Sequence, residues 1–129
     1  MHKNTPVGHK VWAIPEGYIP GSSNGPEPAF TSHETASILN TSDTEANIEI
    51  TIYFTNKEPV GPFRVKVPAQ RTLHLRFNDL NDPEEIPRDT DYGSVFRSDV
   101  PVVVQHTRLD SRQAENALLT TMAYHVSTL

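Results

Sequence analysis

The chemistry open to this chain rests on histidines, arginines and carboxylates, because none of its 129 residues is cysteine. Disulfides, thiolate metal sites and a cysteine nucleophile are thereby excluded. The spacing of the other groups is suggestive. His74 and Arg76 lie two apart, and so do His106, Arg108 and Asp110. In an extended chain, residues two apart point to the same side. His33 and Glu34 open another apolar stretch. If such strands stack, imidazoles and guanidiniums converge on one cleft. His74, Arg76, His106 and Arg108 would then be the ligand-binding residues for a sugar or small metabolite. Trp12, the lone tryptophan, reads either as a core aromatic or as a platform for a ligand or a neighbouring subunit.

More specific chemistry finds no footing. A metal needs two or three ligands aimed at one point, yet the six histidines are scattered and form no H-x-H or HExxH pattern. No metal and no other cofactor is expected. No serine sits in a G-x-S-x-G elbow, and no glycine-rich phosphate loop is present. Glu84 and Glu85 are adjacent in an acidic, proline-bounded stretch, and neighbours rarely face the same point. These residues do not read as an enzyme. The segment 105–116 is rich in directional hydrogen-bonding groups, and Arg108, Asp110, Arg112 and Asn116 are expected to form an internal ion-pair network or to hold a polar ligand.

The elements that must position these groups are strands. Eleven prolines and six glycines separate short runs rich in Val, Ile, Thr, Tyr and Phe. Strands are expected near 10–15, 33–39, 46–54, 62–67, 71–77, 93–98, 102–109 and 117–124. In the third, Ile48, Ile50, Ile52 and Phe54 alternate with Glu49, Thr51 and Tyr53, so one face is buried and one wetter. Leu73, Leu75 and Phe77 repeat the pattern and are expected to be buried. Residues 67–70, VPAQ, are read as a hairpin turn between the fourth and fifth strands. Residues 15–31 and 78–92 are read as long loops, and at most a short helical turn is expected near 111–116. The fold class is all-β: an antiparallel β-sandwich or jelly-roll-like barrel of about eight strands. One domain, 10–129, follows a tail of residues 1–9.

The net charge of −5 resides in one place. Residues 79–91 carry six acids, Asp79, Asp82, Glu84, Glu85, Asp89 and Asp91, against Arg88 alone. That segment is expected at the surface without binding metal tightly. The overall balance argues weakly against a dedicated nucleic-acid binder, and Arg64, Lys66, Arg71 and Arg76 read as a solvated strand face. The first ten residues hold no apolar run of a signal peptide. No stretch approaches the roughly 18 to 20 apolar residues of a membrane-spanning helix, so direct membrane insertion is not expected.

Several long strings carry a resemblance: WAIPEGYIP at 12–20, NGPEP at 24–28, SHETASILN at 32–40, EITIYFTNKEPVGPF at 49–63, RFNDLNDP at 76–83 and VVVQHTRLDSRQAENALL at 102–119. Over roughly residues 10–124 the chain resembles the sensory rhodopsin transducer family. The resemblance implies a small β-sandwich protomer, a homotetramer and a cytoplasmic location. It also implies a signalling adaptor on the cytoplasmic face of a microbial sensory rhodopsin or related partner. DNA association is a further role proposed for such proteins, and the fold is similar to carbohydrate-binding modules. The family offers no catalytic residues to carry over. Two apolar runs hint at where an assembly would form. Val102, Val103 and Val104 are consecutive, as are Ala117, Leu118 and Leu119, which means that both strand faces are covered. A second subunit over Val103, Leu118 and Leu119 is one cover; a loop such as 15–31 is the other.

Overall fold

In the computed structural model, residues 5–23, 31–113 and 117–127 are described. They form strands β1 (His9–Tyr18), β2 (His33–Asn40), β3 (Ala46–Phe54), β4 (Val60–Val67), β5 (Arg71–Arg76), β6 (Asp91–Asp110), β7 (Ala117–Met122) and β8 (Tyr124–Val126), with a 3-10 turn at Phe77–Asp79. All pairings are antiparallel. One layer runs β4-β3-β6-β1-β8 and the other β5-β2-β6-β7. The expected all-β sandwich is the fold.

β6 belongs to both layers. Its first half pairs with β3 through Ser98, and its second half pairs with β2 from Val103. Two expected strands, 93–98 and 102–109, are therefore one strand of 20 residues. Pro101 lacks a backbone donor and reads as a break. It falls where β6 has left β3 and not yet met β2, and where the β1 register shifts between His9 and Val11. Alternation runs straight through it: Phe96 and Ser98, then Val102, Val104 and His106, are buried.

The core forms between the layers. Ile48, Ile50 and Ile52 of β3 meet Ala36 and Ile38 of β2, with Trp12, Phe63, Phe77 and Phe96 filling the interior. Each fully buried isoleucine contributes about 2 kcal/mol. Phe77 is buried but lies in the 3-10 turn, not in the strand that was expected to include it. Leu73 and Leu75 are only half-buried, because among the described residues β5 is an edge strand with β2 as its one neighbour.

The expected hairpin at 67–70 does not form. β4 pairs with β3, whereas β5 pairs with β2 in the other layer. Gln70 takes a left-handed backbone, φ 54°, and its N–H bonds Ser42 O at 3.1 Å. The turn thus carries the chain across the sandwich rather than back along β4.

Both long loops are shorter than expected. β1 continues through Pro15 to Tyr18, past an irregularity between Ile14 and Gly17 where a missing donor is tolerated. In the second, β6 begins at Asp91, and Ile86 is buried as an anchor while all six acids are exposed. The last expected strand is split: Ala123 breaks it, donating its N–H to Val104 O at 3.2 Å, so β7 borders one layer and β8 the other. Residues 111–113 form no helix, and 114–116, where the rest of that expected helical turn falls, lie outside the described residues.

Candidate functional site

The centre of the polar chemistry is Glu34. β2 places it on the same face as Ala36, Ile38 and Asn40, pointing inward, and its side chain is 0% exposed. A carboxylate removed from water is strongly unfavourable unless paired and hydrogen-bonded. Here it is both. Arg108 donates to it from Nε at 3.1 and 3.2 Å and from Nη2 at 3.1 Å. His106 Nε2 lies 3.2 and 3.1 Å from its two oxygens, and Tyr18 N–H donates at 3.2 Å. Register explains the meeting: Glu34 pairs with Arg108, and Ala36 with His106.

Among the described residues, Arg108 has one further partner. Its Nη1 reaches Glu16 Oε1 at 3.2 Å, and the Glu16 side chain is 75% exposed. Partial burial alone would lower the Arg108 pKa; hydrogen bonds and attraction from Glu34 and then Glu16 outweigh it and raise the pKa. The guanidinium therefore stays charged. Behind the cluster, burial pushes the Tyr92 phenol well above its ordinary value, with the Glu34 charge adding to the effect. Tyr92 and Ser94 hydroxyls are buried without a hydrogen-bond partner among the described residues.

A cleft of about 240 Å³ opens beside this cluster. Its wall is Ile14, Pro15 and Glu16 of β1, His106 and Arg108 of β6, Leu119, Thr121 and Met122 of β7, and Ala123.

The four residues expected to share one cleft do not. His106 and Arg108 face inward. His74 and Arg76 lie on the outer face of the same layer, beside His33, Thr35, Ser37 and Thr107. The period of two joins residues along a strand, but which face is inner is decided by the partners. Trp12 is 4% exposed, and its indole N–H donates to Val102 O at 2.8 Å and His9 O at 3.0 Å. It sits in the core, with its ring steeply inclined to that of His125 at a centroid distance of 5.5 Å. The expected network of Arg108, Asp110, Arg112 and Asn116 divides as well. Arg112 Nη2 pairs with Asp110 at 2.7 Å, Arg108 turns to Glu34, and Asn116 lies outside the described residues. Among the described residues, no group of three or more His, Asp or Glu is placed to hold a metal ion.

Of the expected interface residues, Leu118 and Leu119 are 65% and 64% exposed. Val103 is half-buried and packs against the core cluster. Part of its cover comes from the chain itself: Gly8, at φ +112°, lies so close that an added Cβ would stand 3.1 Å from Val103 Cγ2.

Sequence reasoning noticed Glu34 without giving it a role and passed over Glu16. For Glu34 a signal existed: it is a charge at an inward position of an apolar-alternating strand. Glu16 offered none, since its contact depends on β1 extending past Pro15.

The family profile described as Anabaena sensory rhodopsin transducer matches residues 7–125. Among solved structures, the chain is similar to the Anabaena sensory rhodopsin transducer, at 62% identity over 81% of this chain and 100% of that one, with a TM-score of 0.74. It is also similar to the Thermotoga maritima protein 1070, at 38% identity over 91% of this chain and 94% of that one, with a TM-score of 0.81. No curated protein matches the chain.

Proposed function

The chain belongs to the Anabaena sensory rhodopsin transducer family, and from that premise we propose that it is a signalling adaptor which docks on the cytoplasmic face of a microbial sensory rhodopsin. The observation that carries this reading is the match over nearly the whole chain, with 62% identity to a protein named for that role. In this reading the protein works in the cytoplasm as a homotetramer, catalyses no reaction, needs no cofactor and reaches the membrane only through its partner. Among the described residues, no helix is long and apolar enough to cross a membrane. The exposed acids of 79–91 suit a surface rich in Lys and Arg, as cytoplasmic loops of membrane proteins are. Such complementarity speeds encounter and is weakened by salt.

The test is binding of the purified chain to a sensory rhodopsin from the same source, held in nanodiscs, in darkness and in light. Micromolar or tighter binding in either state, weakened by added salt, is the expected result. Absence of binding in both states at low salt would overturn the reading.

A further inference from the structure

We propose that the cleft beside Arg108 binds a small apolar monocarboxylate, whose carboxylate takes the place that Glu16 now holds on Arg108 Nη1. The inference does not depend on the identity of any docking partner.

The guanidinium is prepared for such a ligand. Nε and Nη2 are tied to the buried Glu34 carboxylate, which fixes the plane of the fork. Nη1 is left facing the cleft wall, where Glu16 meets it at 3.2 Å. Glu34 has no exposed side chain, but Glu16 is 75% exposed and reaches the site from the solvent side. An exposed ion pair of that kind is worth little, because water competes for both partners. A carboxylate that also carries an apolar body gains what Glu16 cannot. It removes Pro15, Leu119 and Met122 from water while making the same charge-assisted bond. The exchange leaves the charge on Arg108 balanced as before.

Other ligand classes fit less well. A cation would find the oxygens of Glu34 already engaged by Arg108, His106 and Tyr18 N–H. It would have to take Glu16 from Arg108 and then sit beside the guanidinium. A sugar needs many convergent polar groups, whereas five of the nine wall residues are apolar: Ile14, Pro15, Leu119, Met122 and Ala123. The volume of about 240 Å³ lies below the roughly 300–1,000 Å³ of drug-sized ligand sites, so the ligand is small.

The chain has two methionines, Met1 and Met122. Carbon-13 labelling of methionine methyls therefore gives a reporter on the cleft wall and another far from it in sequence. Titrating the full chain with pentanoate and benzoate should shift the Met122 signal saturably in the millimolar range or below. Pentanamide and benzamide, equal in shape but uncharged, should bind about tenfold more weakly or worse, having lost the charge-assisted bond. Glu16→Gln should tighten the carboxylates by about two- to fivefold, the worth of an exposed ion pair. Glu84→Gln, which removes the same charge from the acidic loop, should leave them unchanged. Amides binding as well as carboxylates would overturn the proposal. So would a Met122 signal that no carboxylate moves, or a Glu16→Gln variant no different from Glu84→Gln.

Discussion

Removing Arg108 should cost the fold more than removing Glu34, although the two are partners. Arg108→Leu strands a carboxylate that has no exposure, with His106 and one amide as its remaining partners. Glu34→Leu strands a guanidinium that is 20% exposed and can find water and Glu16. Breaking a buried pair from the worse side costs about 3–5 kcal/mol. The double substitution, which strands no charge, should cost less than the sum of the singles. Urea unfolding at one fixed protein concentration measures all three. A second residue gives a pH test. Asp99 accepts from Asn47 N–H and Asn47 Nδ2, each at 2.8 Å. Partial burial would push its carboxyl up; the bonds from Asn47, aided by the backbone N–H groups of Asp99 and Val100, outweigh this and hold it low. A depressed native pKa adds stability that is present above the ordinary carboxylate value and lost as pH falls through the native one. Asp99→Asn should therefore lower the melting temperature at neutral pH, and the difference should close in strong acid. A constant difference across the acid range would show that the bonds are not what Asp99 contributes.

At the scale of elements, two expected core residues differ in what they can lose. Ile50 lies at the centre of the sandwich, and Ile50→Ala should cost about 3 kcal/mol. Leu73 lies on the edge strand β5, half-buried, and Leu73→Ala should cost about half as much. Equal losses in urea would mean that β5 is covered more completely than a single neighbour provides. The same contrast shows what the sequence made legible. Alternation in β3 announced both the strand and its inner face, because isoleucine and charged residues could not share a side. The same reading placed Leu73, Leu75 and Phe77 inside, but alternation says nothing of whether a strand is central or at an edge. Pairing across the chain was equally silent. Nothing local to VPAQ distinguishes a turn back along β4 from a turn across to the other layer. The strands expected at 93–98 and 102–109 stop on either side of Pro101, while the pairing that carries β6 past it comes from β1, roughly 90 residues earlier in the chain.

At the scale of the whole molecule, β7 and β8 present an uncovered margin among the described residues. Outside the cleft wall, Leu118 and Tyr124 are both more than half exposed. An apolar margin of this kind is a liability on a lone protomer, which agrees with the proposed homotetramer. Leu118→Asp should then shift the mass measured by light scattering toward the 14.4 kDa of one chain. A wild-type chain already at that mass at micromolar concentration would remove the basis for the assembly. Leu118 is the better choice than Leu119, which also lines the cleft beside Arg108.

The strand shared by both layers has a consequence for how the protein is made. β1 and β3 each take β6 as a neighbour, and β2 has it on one side. Until β6 has been synthesised, only the β3–β4 and β2–β5 pairings are available, and β1 has no described partner at all. Translation proceeds at about 5–20 residues per second, so the roughly 100 residues from β1 to the end of β6 take on the order of 5–20 s. Throughout that interval the edges of β1, β2 and β3 that β6 will take stand without it. Unpaired strand edges are the state most open to aggregation during synthesis, and here their closure waits on one late segment.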